Sequence, residues 1–152
     1  MERRSAVKIA ALATLAALLL GAEPSARADE SLVLFVSADS VVSRLEMIEV
    51  RELFLGLTVI RNDRKLRALD NYSDSRVHEV FLQNVIAMPE SAYARRLLLI
   101  TLQQGGRRPG VYNSLAALLN AVALDPTAVS IAWAKDVAND RRFKILRVLW
   151  RD

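Results

Sequence analysis

The chain has 152 residues, 53% of them hydrophobic and 25% charged, with a formal net charge of +4 and no cysteine. That length suits one domain with a core of its own. The missing cysteine excludes a disulfide framework, thiolate chemistry and cysteine metal sites, so stability must come from packing.

Taken in chain order, Arg3, Arg4 and Lys8 form a positive N-terminal region and Ile9 to Leu20 an apolar core. Ala26-Arg27-Ala28 supplies a small-x-small cleavage pattern. The apolar run is about a dozen residues, short of the ~20 that span a bilayer. The pattern predicts a cleaved secretory signal over residues 1–28 and one exported, periplasmic domain over residues 29–152, with no stable membrane insertion after cleavage. No cysteine follows the core, so a lipoprotein is not expected. The arginine pair resembles a twin-arginine leader, but Ala6 stands where that signal carries an aromatic residue, which favours the ordinary secretion route. Without the leader the chain is only mildly basic. Its charges are interspersed and lack aromatic–basic interleaving, so nucleic acid is not an expected partner.

Ser31-Leu32-Val33-Leu34-Phe35-Val36-Ser37 is an apolar, β-branched run suited to a buried strand. Met47, Val50 and Phe54 then recur at helical spacing, and Gly56 is placed to stop that helix. Leu57 to Ile60 and Leu66 to Leu69 read as short strands around the polar turn Arg61-Asn62-Asp63-Arg64-Lys65. A second helix is expected to bury Val77, Val80, Phe81, Val85 and Met88, with one missed turn at Asn84. Pro89-Glu90-Ser91 starts another helix, with Ser91 a candidate cap, running to Ile100. Gly105-Gly106-Arg107-Arg108-Pro109-Gly110 reads as a loop throughout. Ser114 caps a helix from Leu115 to Leu124, stopped by Asp125-Pro126. Two further strands are expected at Ala128 to Trp133 and at Phe143 to Leu149. Strands alternating with helices predict an α/β layer structure.

The order of these elements over Leu45 to Met88 resembles the middle portion of the periplasmic solute-binding proteins of phosphate ABC transporters. Within it stand a helix ending Leu53-Phe54-Leu55-Gly56, a short strand region, then Ser73-Asp74-Ser75-Arg76-Val77 with Phe81 and Val85. Gly105-Gly106 to Pro109 is similar to the family's glycine-rich loop. Asp125-Pro126-Thr127-Ala128-Val129 is similar to the segment before its return strand. The resemblance spans roughly Leu32 to Leu149 and implies an α/β fold: a single lobe of a type 2 periplasmic-binding-protein-like fold, with a mixed sheet flanked by helices. Full members are about twice this length and close two lobes around the ligand.

That family clamps phosphate with an arginine and a Ser-Gly-Thr triplet at a helix start. The triplet falls on Ser75-Arg76-Val77, so the serine is kept while glycine and threonine are replaced. The arginine's place falls near Asp70-Asn71, where an acidic side chain would repel an anion. Ser73, Ser75 and Arg76 therefore form one candidate oxyanion site, since a helix start offers free N–H groups and a positive dipole end. The competing reading makes Ser73 or Ser75 a simple helix cap, with Arg76 in solvent. Arg107 and Arg108 on the glycine loop form the second candidate, either for an oxyanion or an acidic partner or as solvated loop charge. Ser130 stands where the family carries a glycine near its cleft. Trp133 and Trp150 read as core or edge packing. His78, the only histidine, is expected at the surface, with no second histidine or cysteine to complete a metal site.

No catalytic motif is assembled, and no catalytic residue, metal or cofactor is expected. Two functions remain. One is an exported, non-enzymatic solute-binding module that holds a phosphate-like oxyanion weakly and gains a second wall from a homodimer or a membrane protein partner. The other is an extracytoplasmic interaction module that has lost its ligand site and serves a sensor or membrane assembly.

Overall fold

The computed structural model of the protein describes residues 30–152. The expected signal over residues 1–28 lies outside the described residues. Chain order is β1 (Ser31–Ser37), α1 (Met47–Phe54), β2 (Ile60–Arg61), β3 (Arg64–Lys65), β4 (Arg67–Asn71) and α2 (Ser75–Phe81). A π-helical turn (Leu82–Ile86) continues α2, followed by α3 (Glu90–Gln104), β5 (Gly110–Tyr112), α4 (Leu115–Leu124), β6 (Ala128–Trp133), α5 (Ala134–Val137) and β7 (Phe143–Arg151). Five strands form one mixed sheet in the order β5-β4-β6-β1-β7. In it β5, β4 and β6 are parallel, and β1 runs antiparallel to β6 and β7.

β1 is buried along its whole length because both faces of the sheet are covered. Successive side chains of a strand point to opposite faces. Leu32, Leu34 and Val36 accordingly join Val50, Phe54, Val77, Phe81, Tyr93 and Leu97 from α1, α2 and α3. Val33 and Phe35 join Leu118, Val122 and Val137 from α4 and α5 on the other face. A continuous apolar run is what a doubly covered strand requires. Among the described residues no helix is long and apolar enough to cross a membrane.

Several local expectations change. Leu57 to Val59 is not a strand; the ladder pairs Ile60-Arg61 with Arg64-Lys65, and one further bond runs from the Leu66 N–H to the Val59 carbonyl at 2.9 Å. Asn62 and Asp63, both at positive φ, make the tight turn between them. The second helix stops being α-helical at Phe81, and the π-helical turn absorbs one extra residue. That extra residue explains the missed period at Asn84, whose side-chain amide donates to the Val80 carbonyl at 2.9 Å. Ala87, at φ 58°, then ends the segment, and Met88 is only partly buried. Ser91 does not cap α3: the N-cap is Pro89, without a side-chain hydrogen bond, and the helix continues past Ile100 to Gln104. Gly110 belongs to β5 and not to the loop before it. Ser114 does cap α4, accepting from the Ala117 N–H.

Candidate functional site

Ligands of open α/β sheets sit beyond the carboxyl ends of the parallel strands. Here β4, β5 and β6 end at Asn71, Tyr112 and Trp133, and a cleft of about 380 Å³ opens there. Asn71, Ser73, Asp74, Asn113, Trp133, Lys135 and Asp136 line it. The helix expected to receive an anion, α2, starts at its edge. Its cap is Asp74, not Ser73 or Ser75: the carboxylate accepts from the Arg76 N–H at 2.8 Å and from the Trp133 indole N–H at 2.9 Å. Burial raises the Asp74 pKa. The Trp133 donor, the Arg76 and Val77 N–H groups and Lys135 outweigh that effect and hold the carboxyl below the usual range. Asp74 is therefore a negative charge held at the start of α2. Asp136, in the same cleft, is pushed up by burial first and by Asp74 in addition.

The remaining residues of this end have partners of their own. Ser73 donates through its N–H and hydroxyl to the Asn71 side-chain oxygen, at 3.0 and 2.6 Å. Asn71 is itself tied to the Ile131 carbonyl. Ser75 is exposed on the first helical residue. Arg76 lies 5.8 Å from the centre of the Trp133 ring and pairs with Glu30 at 2.9 Å and Asp152 at 3.6 Å. Trp133 is buried, with Trp150 packed at 6.2 Å. Ser130 is fully buried, and its hydroxyl donates to the Leu69 carbonyl at 2.6 Å, locking β6 to β4.

His78 is not a surface residue. It is 8% exposed, with Tyr72 stacked 4.0 Å away, and its Nε2 lies 2.5 Å from the Glu90 carboxylate. Its Nδ1 faces the Asp70 carboxylate at 3.6 Å, an ion-pair distance too long for a hydrogen bond. Asp70 itself is only 1% exposed and points into the core, where the Tyr93 hydroxyl reaches it at 3.4 Å. Its carboxylate is not among the groups that line the strand-end cleft, although the adjacent Asn71 is. Burial pushes the imidazole pKa down, but Asp70 and Glu90 together hold it above the usual histidine value. Burial first, and the Asp70 charge second, push both the Tyr72 and Tyr93 phenols up, so they remain neutral donors.

Arg107 and Arg108 lie at the other end of β4, where Lys65, Arg67, Thr58 and Gly110 border a second cleft of about 280 Å³. The five residues of β4 separate the two ends by roughly 13 Å of strand. The structure thus does not gather Ser73, Ser75, Arg76, Arg107 and Arg108 into one site. The arginine loop is held by a close glycine crossing. A Cβ on Gly106 would stand 2.4 Å from the Gly56 carbonyl oxygen and 2.8 Å from Ile100. The Arg107 N–H donates to that same carbonyl at 3.1 Å, and Gly56 sits at φ +86°. Gly106→Ala is expected to cost about 1–3 kcal/mol in urea unfolding, because a backbone neighbour cannot yield as a side chain would. A cost below about 0.5 kcal/mol would show that the crossing relaxes freely.

Asp74 as cap, Lys65 and Arg67 beside the arginine loop, and the His78 cluster were absent from the sequence-based site. The available signals were local ones: Asp74 preceding a helix start, and the density of cations from Arg61 to Arg67. Among the described residues no cluster of three or more potential metal ligands forms.

No protein-family model matches the chain, and no curated protein matches it. Among solved structures, the chain is similar to an ABC-type phosphate transport receptor from Vibrio cholerae at 16% identity and a TM-score of 0.58. That match covers 78% of this chain and 46% of the receptor. It is also similar to PstS from Borrelia burgdorferi at 16% identity and a TM-score of 0.54, covering 79% and 47% of the two chains. The chain spans about half the length of the solved structures it matches. At this identity the likeness speaks for the fold alone: an α/β fold with a mixed sheet between helices, similar to about half of each of those receptors.

Proposed function

We propose that this protein is an exported, non-enzymatic lobe of the phosphate-receptor type whose strand-end cleft serves as a contact surface for a protein partner and does not hold an oxyanion. One observation carries the reading. The Asp74 carboxylate fills the helix start that would otherwise receive an anion, with Asp136 beside it. Two carboxylates in one small cleft disfavour a third negative charge. Of the two cations near the helix start, Arg76 already pairs with Glu30 and Asp152, and Lys135 acts on the Asp74 carboxylate, whose pKa it lowers. The secretory pattern at Arg3 to Ala28 supports an extracytoplasmic setting.

The test follows backbone amide resonances of the purified protein during titration with phosphate and sulfate. Residues 73–77 are expected to stay unmoved at millimolar anion. Saturable shifts there would sink this reading and return the cleft to solute binding. For the partner, a photo-crosslinker placed at Asn113, which is exposed at the cleft, should give a discrete adduct in cells. One at Arg141, outside the cleft lining, should not.

A further inference from the structure

The second cleft has a different character from the first. Leu53, Leu66 and Ala68 contribute its apolar lining, and Lys65, Arg67, Arg107 and Arg108 surround it with positive charge. No acidic residue lines it. Arg67 is held by Asp125 at 2.7 Å. Among the described residues, no carboxylate pairs with the side chains of Lys65, Arg107 or Arg108, and none of the three makes a side-chain hydrogen bond.

Two simpler roles for these cations do not fit. They are not needed to cap α1, because its last carbonyls, on Arg51, Glu52 and Leu53, already accept from the N–H groups of Leu55, Leu57 and Gly56. Nor does the loop lack anchorage, since the Gly56–Gly106 crossing fixes the backbone from which both arginines project. The result is three cations without a carboxylate partner among the described residues, Lys65, Arg107 and Arg108, held around one concavity beside the paired Arg67. Such a set is relieved by an anion carrying more than one negative charge, and guanidinium forks match phosphate oxygens well. The volume of about 280 Å³ lies at the small end of ligand pockets and suits a small anionic group.

We infer that the cleft between the end of α1, the start of β4 and the Gly105–Arg108 loop binds a small phosphate-bearing polyanion, either free in solution or as the headgroup of an anionic lipid. The site is separate from the strand-end cleft, and its ligand answers to different residues. Exposed cations each contribute modestly, so affinity falls in the high-micromolar to millimolar range and weakens as salt is added.

The purified protein is titrated at low salt with inorganic pyrophosphate, with orthophosphate as the lower-charge comparison. Amide shifts are expected at residues 56–58 and 106–110, saturating at lower concentration for pyrophosphate. Shifts there with residues 73–77 unmoved support both this site and the partner-binding reading; shifts only at residues 73–77 overturn both. Shifts at neither place overturn this site alone. Arg107→Ala combined with Arg108→Ala should weaken pyrophosphate binding about tenfold, as two lost exposed pairs imply. Arg141→Ala should leave it unchanged. The double variant alters only exposed loop side chains, and an unchanged melting temperature verifies that it is folded. Co-sedimentation with phosphatidylcholine vesicles containing phosphatidylglycerol, lost in the double variant, assigns the site to a lipid headgroup. Pyrophosphate binding without vesicle binding assigns it to a free solute. Wild-type binding of both probes by the double variant, or binding of neither by the wild type, overturns the inference.

Discussion

Replacing His78 with alanine is expected to lower the free energy of unfolding by about 3–5 kcal/mol near pH 6, measured by urea denaturation. The size follows from what stays behind. Asp70 is almost completely buried, and the imidazole is the only cationic group that pairs with it among the described residues. Removing one partner of a buried pair leaves the other charge in a low-dielectric site without compensation, and that costs more than the pair contributed. The charged groups around His78 are Asp70 from β4 and Glu90 from the start of α3, with Tyr72 and Tyr93 as neutral neighbours. The cluster ties three elements together, so its loss is expected to loosen the start of α3 first.

The sign of the pH dependence follows from the raised histidine pKa. A group that holds its proton more tightly when folded contributes its full stability below its unfolded pKa, about 6.5, and loses it as pH rises through the higher folded value. Wild-type stability relative to His78→Gln should therefore shrink from about pH 6.5 upward. A constant difference across that range would show that the ion pairs with Asp70 and Glu90 carry no net energy. Because His78 is the only histidine, one imidazole resonance reports its titration directly. Combining Asp70→Asn with His78→Gln removes both charges and is expected to cost less than His78→Ala alone.

This cluster also marks how far local sequence signals reach. β1, α1, α4 and β6 carry strong periodicity, caps or continuous apolar runs, and their expected bounds agree with the structure. Where neighbours distant in sequence decide the outcome, those signals fail. His78 looked like a surface residue because its partners, Asp70 and Glu90, come from other elements. Ser73, Asp74 and Ser75 are all competent caps. Trp133, 59 residues away, helps hold Asp74 in that role. Arg107 and Arg108 were legible as a pair, but Lys65 and Arg67 joined them only through the Gly56–Gly106 crossing. The packing positions Val50, Phe54, Val77, Val80, Phe81 and Val85 of the Leu45–Met88 stretch are legible because burial follows periodicity, whereas Met88, past the π-helical turn, is only partly buried. The charged positions are less legible, since their partners do not follow it.

Phe81→Ala is the second large effect expected, about 3–5 kcal/mol in chemical denaturation. The Phe81 and Phe54 rings are both fully buried, with centroids 4.8 Å apart and planes at 63°, an edge-to-face contact that joins α2 to α1. Removing one ring loses that contact, the transfer energy of the side chain and the packing against the Leu32–Val36 face of the sheet. A domain of this size holds only about 5–15 kcal/mol in total, so the variant should melt markedly earlier. Full relief of the cost would require the π-helical turn to collapse inward, yet Leu82, Val85 and Ile86 are already buried and leave little room to move. Phe54→Ala combined with Phe81→Ala should cost less than the two single losses together, by about 0.5–1.5 kcal/mol for the ring pair itself. Strict additivity would mean that the rings do not interact. The arginine-loop variants, which touch only exposed side chains, should stay within about 0.5 kcal/mol of the wild type. That contrast separates stability from surface charge: the aromatic pair joins α1 to α2 inside the core, while the exposed cations at the start of β4 can change with little effect on folding.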